Sequence, residues 1–179
     1  MDARPQPAAE AASAFVSLVP EPRRRLLAFS LLMAGMFMAT LDNQIVSTAL
    51  PTIVGEFGEL ERFAWVGSAY LLATSSVMPV YGKLGDLFGR KYVMMAAILV
   101  FTLGSLACGL AGSMNQLIAA RVLQGLGGGG IMVSIFSINA DLFDPRVRAR
   151  YQSYSSLMLM AAGAVGPTLG GVLSDLFGW

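Results

Sequence analysis

Histidine is absent from the 179 residues, and cysteine occurs once, at Cys108. That leaves no His/Cys metal site and no disulfide framework to build a fold on. Charge is scarce too: Asp, Glu, Lys and Arg make up 13% of the chain, about half the roughly 25% usual in soluble domains. With Lys plus Arg at 12 and Asp plus Glu at 11, nothing in the balance points to nucleic acid as a partner. What fills the chain is apolar. Hydrophobic residues reach 55%, mean hydropathy is +0.64, and the apolar residues gather into long runs broken by short charged or glycine-rich stretches. Such a pattern requires lipid as solvent.

A hydrocarbon core of about 30 Å takes roughly 20 helical residues to cross. Five runs are long enough: 26–53, 63–81, 92–111, 117–140 and 151–173. Lipid cannot satisfy backbone N–H and C=O groups, so spanning runs must be helices or strands of a closed barrel, and these are too long and too evenly apolar for barrel strands. The expected fold class is therefore an all-α membrane protein. Residues 1–25, rich in Ala, Pro and Glu, read as a disordered tail, since the apolar stretch 14–19 is too short for a signal-peptide core.

Basic residues alternate between the breaks. Arg23, Arg24 and Arg25 precede the first run, Lys83, Arg90 and Lys91 lie between the second and third, and Arg146, Arg148 and Arg150 lie between the fourth and fifth. The opposite breaks carry only Arg62, beside Glu56, Glu59 and Glu61. Because Lys and Arg accumulate on the cytoplasmic side, the amino terminus is expected in the cytoplasm of a multi-pass protein of the plasma membrane.

Two nucleotide motifs fail on context. The run 125–130 formally fits G-x-G-x-x-G, but it sits inside a membrane run without a preceding strand, and Asp141 and Asp144 come too early for the ribose. Gly82-Lys83 lacks the Ser or Thr of a phosphate loop, as Leu84 follows. No cofactor and no enzymatic hydrolysis is expected.

The chemistry left is inside the membrane. Asp42 lies between apolar stretches, where a carboxylate costs a few kcal/mol even on permissive scales and must face the bundle interior, a wet cavity or a cation. A structural hydrogen bond to a neighbouring helix is the plainer reading; proton or substrate coupling is the functional one. Arg121 opens the fourth run at comparable depth, roughly 6 Å from its outer end against 12 Å for Asp42, a gap its long stem nearly closes. It either pairs with Asp42 or snorkels to the interface. Gly125 and Gly129, and Gly166 and Gly170, stand four apart on the fourth and fifth runs, a spacing for close helix packing, and Pro167 permits a kink.

Four segments carry a resemblance. Residues 82–91, GKLGDLFGRK, resemble the G-x-L-x-D-R-x-G-R-K loop of the major facilitator superfamily, with Leu87 where Arg is frequent. Residues 121–128, with Arg121, Gln124 and Gly125, are similar to its helix-four motif R-x-x-Q-G-x-G. Residues 162–171 resemble the helix-five exporter motif G-x-x-x-G-P-x-x-G-G, with Ala162 for the first glycine and Gly166, Pro167, Gly170 and Gly171 in place. Residues 41–51 resemble the helix-one motif L-D-x-T-I-V-N-V-A-L-P of the fourteen-helix drug:proton antiporters, departing at Gln44, Ser47 and Thr48.

The resemblance implies a proton-coupled exporter of drugs or other amphiphilic molecules, driven by the proton gradient. Asp42, Arg121 and Gln124 would then lie in the proton and substrate path. Gly82, Asp86, Gly89, Arg90, Lys91 and Asp141 would form a cytoplasmic gating loop, where the spacing of Asp86 to Arg90 and the place of Asp141 also suit a local ion relay. A solvated loop is the alternative. Family members have twelve or fourteen helices and rock two bundles against each other. This chain is therefore expected to be an amino-terminal part that works with a carboxy-terminal half of the same protein, with lipid and a small-molecule substrate as its other partners. A nutrient symporter of the same fold, or a non-transporting membrane sensor or assembly subunit, is the alternative function.

Overall fold

A computed structural model describes residues 19, 21–57 and 60–177; residues 1–18 and 20 of the expected tail lie outside them. Five helices follow one another: α1 (Pro22–Phe57), α2 (Phe63–Phe88), α3 (Arg90–Gly109), α4 (Met114–Leu142) and α5 (Pro145–Phe177), with a single 3₁₀ turn at Leu60–Arg62 before α2. All five are long and apolar enough to cross a membrane, and no strand occurs among the described residues. The protein is an all-helical membrane bundle. Its apolar exterior fits lipid: Leu31, Leu71, Leu72, Leu99, Leu106 and Met160 all face outward.

The helices outrun the expected spans, chiefly at the basic end. Helix α1 starts at Pro22 rather than Leu26, so Arg23–Arg25 are helical instead of part of a tail. Proline suits a first helical position because it has no N–H to leave unpaired, and the Arg25 N–H already donates to the Glu21 carbonyl at 3.0 Å. Helix α5 starts at Pro145, not Tyr151, by the same device: the Asp144 carboxylate accepts the Arg146 N–H at 2.8 Å and caps the end. The stretch expected as a loop over 82–91 is also helical. Helix α2 runs through it to Phe88, and Gly89 alone separates α2 from α3, at φ 90°, the one positive φ among the described residues. A helix end standing in water or headgroups still satisfies its own backbone, so nothing forces it to stop at the hydrocarbon boundary.

Helix α4 is the centre of the bundle, with far more of its surface buried than the others. Its glycine run makes this possible. A Cβ at Gly125 would stand 2.6 Å from the Tyr70 carbonyl of α2, and one at Gly129 2.6 Å from the Thr74 carbonyl; on the other side, a Cβ at Gly127 would overlap the Phe101 backbone of α3. The run therefore lets α2 and α3 lie directly against α4. A second close pairing joins α5 to α1, where Gly166 meets Gln44 and Gly170 meets Ile45 and Thr48. Gly171 of the exporter motif faces open space, so close packing falls to Gly166 and Gly170 only.

Backbones thus approach closely within a trio (α2, α3, α4) and within a pair (α1, α5). Between trio and pair the seam is filled by side chains. One apolar cluster holds Leu50, Ile53, Val66, Met114 and Leu117 at the end bearing the α1–α2 connection. The other holds Phe29, Met33, Met36, Ile131, Ile135 and Phe143 at the basic end, where Phe143 and Tyr151 stack with centroids 3.5 Å apart and Phe29 meets both edge-on.

Candidate functional site

Between the two apolar clusters lies a polar layer. Asp42 enters it from α1, Ser105 from α3, and Arg121 and Gln124 from α4, one turn apart and so on the same helix face. The Gln124 amide is the joint of the layer. Its Nε2 donates to Asp42 Oδ2 at 2.7 Å, and its Oε1 accepts from Arg121 Nη1 at 2.6 Å. Ser105 Oγ donates to the other carboxylate oxygen of Asp42 at 3.0 Å. Arg121 Nη2 donates to Asn43 Oδ1 at 2.6 Å, and the guanidinium lies over the Tyr70 ring, 4.3 Å from its centroid. Arg121 turns inward, 1% exposed, rather than to the interface, and its Nη1 ends 3.9 Å from Asp42 Oδ2.

Local sequence explains why these groups converge. Gly104 has no side chain, and a Cβ there would stand 2.5 Å from the Gln124 Cα, so α3 presses against the backbone that carries Gln124. Gly125 and Gly128 admit Tyr70 beneath Arg121 in the same way. Helix α4 begins on a capping arrangement: Ser113 Oγ accepts the Gln116 N–H at 3.4 Å, and Gln116 Oε1 accepts the Gly112 N–H at 2.9 Å. The i, i+3 spacing along the helix then places Arg121 one turn before Gln124. A desolvated guanidinium and carboxylate bridged by an amide form an arrangement whose charge balance shifts whenever the carboxylate is protonated.

The sequence singled out Asp42, Arg121 and Gln124, and the structure brings all three together. It did not single out Asn43, Tyr70, Ser105 or Cys108. A serine and a cysteine at i and i+3 in an otherwise apolar run were the available signal for the last two.

At the basic end, Arg90 joins the other predicted group. It stands 2.9 Å from Asp141 and 3.6 Å from Asp86, and its Nη1 also donates to the Ser137 carbonyl of α4. Gly89 supplies the turn that makes this possible, Gly82 faces Val133 of α4, and Lys91 is exposed.

The profile of the Major Facilitator Superfamily matches residues 32–179. Multidrug resistance protein 3 of Bacillus subtilis (strain 168) is 39% identical over 148 residues, which cover 83% of this chain and 29% of that protein. The multidrug transporter protein MdtP of the same organism is 39% identical over 159 residues, 89% of this chain and 29% of the relative. The efflux pump dotC of Dothistroma septosporum is 40% identical over 156 residues, 86% of this chain and 27% of the pump. The chain thus spans less than a third of the length of these relatives. A profile match over most of its length, on a five-helix multi-pass bundle, establishes that the chain belongs to the Major Facilitator Superfamily.

Proposed function

We propose that the complete protein is a proton-coupled exporter of amphiphilic small molecules in the plasma membrane. It is a transporter, not an enzyme, and draws its energy from the proton gradient without a cofactor. The basic ends of the helices, and with them the amino terminus, face the cytoplasm, in keeping with the distribution of Lys and Arg. Relatives named as multidrug and efflux proteins support the substrate class.

The observation that carries the coupling is the Asp42–Gln124–Arg121 bridge, enclosed between two apolar clusters. Asp42 takes up and releases the proton. Arg121 stabilises the ionised carboxylate through Gln124, so the charge balance of the layer differs between the two protonation states. Arg90, Asp86 and Asp141 hold the α2–α3 turn on α4 as part of a cytoplasmic gate, and the Gly166–Pro167 segment of α5 serves the exporter interface.

Inside-out vesicles with an acid lumen test this reading. Dye should accumulate in the lumen as protons leave, and Asp42→Asn in the complete protein should abolish the gradient-driven component. Unchanged accumulation in that variant would sink the coupling role, and flux in the same direction as the protons would make the protein a symporter.

A further inference from the structure

Two cavities reach the polar layer along adjoining faces of α1. The first, about 230 Å³, is bounded by α1, α3, α4 and α5 and contains Asp42, Ser105, Cys108 and Gln124 among apolar walls. The second, about 170 Å³, lies between α1 and α2 and contains Arg121, Asn43, Gln44 and Ser47. Their α1 residues fall on different faces: Asp42, Ile45, Ala49 and Ile53 line the first, Asn43, Ser47 and Leu50 the second, and only Val46 borders both. The carboxylate is thus reached from one cavity and the guanidinium from the other, with the Gln124 amide joining the two groups.

We propose that the two charged groups are served separately. Protons reach Asp42 through the first cavity, and an oxygen acceptor group of the amphiphilic substrate meets Arg121 in the second. This rests on the exporter reading above. The donor inventory supports the substrate side. Arg121 is 1% exposed, its Nη1 and Nη2 are committed to Gln124 and Asn43, and its Nε is buried without a partner. A buried N–H left unpaired is costly, and a carbonyl or carboxylate oxygen satisfies it. A cationic head placed there would meet the guanidinium instead. Since a water takes about 30 Å³ of liquid volume, the cavity admits one ring or carboxyl-sized head, not a whole drug.

The proton side has a different lining. Asp42 is faced by Ser105 and Cys108 from α3, by Gln124 and Arg121 from α4, and by Tyr70 of α2 beneath Arg121. From helix α5 the wall includes Gly170, Leu173 and Ser174, none of them charged. A proton entering here meets the carboxylate without passing the guanidinium.

Two glycines allow each cavity to be plugged independently. Gly109 lines the first and Gly67 the second, and a Cβ added at either meets nothing within 4 Å. The complete protein carrying Gly109→Leu or Gly67→Leu is assayed in two ways. Dicyclohexylcarbodiimide adds to a protonated membrane carboxyl to give an N-acylurea, read by mass on the peptide containing Asp42. A dialkylaminocoumarin, a fluorescent amphiphile with a lactone carbonyl, reports binding. G109L should lower Asp42 labelling at least tenfold and leave coumarin affinity within twofold; G67L should do the reverse. Gly109→Val and Gly67→Val repeat the comparison with smaller plugs should a leucine variant fail to fold. Parallel losses in both assays, or no loss in either, would overturn the separation, and a wild-type protein that labels but binds no coumarin would overturn the acceptor assignment. Neither assay needs a gradient, so a split that holds while gradient-driven flux is absent counts against the exporter reading alone.

Discussion

The Arg121 guanidinium stops 3.9 Å from the Asp42 carboxylate, and the side chain of Gln124 spans the gap with one hydrogen bond to each. The pair is held near but not in direct hydrogen-bonded contact. Replacing the amide by an isosteric apolar group therefore has a defined cost. Gln124→Leu strips a buried donor from Asp42 and a buried acceptor from Arg121, about 1–3 kcal/mol for each group left unpaired. A lower melting temperature in detergent and at least a tenfold loss of gradient-driven flux are expected. Wild-type behaviour in both would show that the bridge is incidental.

Packing on the two sides of α4 predicts a contrast between glycines. Gly127→Ala drives a methyl into the Phe101 backbone and should separate α3 from α4 at a cost of about 1–3 kcal/mol. Gly35→Ala on α1 meets open space and should be neutral or slightly stabilising. Thermal unfolding of the two variants side by side checks this, and equal shifts would contradict the close α3–α4 contact.

The Arg90 cluster predicts a local effect rather than a global one. Arg90→Ala removes two ion pairs and the bond to the Ser137 carbonyl, while the apolar packing of α2 and α3 on α4 stays. Partly exposed ion pairs contribute little, about 0–1 kcal/mol each, and a charge-assisted bond somewhat more. Hydrogen exchange at 82–91 should quicken roughly tenfold, with the centre of α4 unaffected. Faster exchange throughout α4 would mean that the cluster holds the whole trio together.

Much of this was legible beforehand, for reasons that differ by element. The number and order of the spans follow from long apolar runs, because lipid leaves the backbone only helix or closed barrel and these runs are too long and too evenly apolar for barrel strands. Helix ends were not legible: Arg23–Arg25 and the 82–88 segment carry charge, which reads as loop, yet a helix extending past the hydrocarbon keeps its own hydrogen bonds. Asp42 and Arg121 stood out because each is a charge inside an apolar run. Ser105 and Tyr70 did not, since a hydroxyl in a span is common and its meaning depends on which neighbour it faces. That neighbour is set by Gly104 and Gly125, whose lack of side chains registers in sequence only as spacing.

The division of the bundle into a pair and a trio has a mechanical corollary. Apolar side chains at either end of the seam resist separation but carry no preferred direction, so they tolerate small rotations of α1 and α5 together over the other three helices. Directional resistance sits in the layer between, where Asp42 and Asn43 are tied to Ser105, Gln124 and Arg121, and at the basic end, where Asn139 of α4 donates to Ser155 of α5 and Arg148 of α5 donates to the Ala140 carbonyl of α4. Bonds to an ionised carboxylate are about twice as strong as those to a neutral one. Of these ties, those made by Asp42 are the ones that a proton on its carboxylate would weaken, so protonation would slacken the middle of the joint while the ties at the basic end hold.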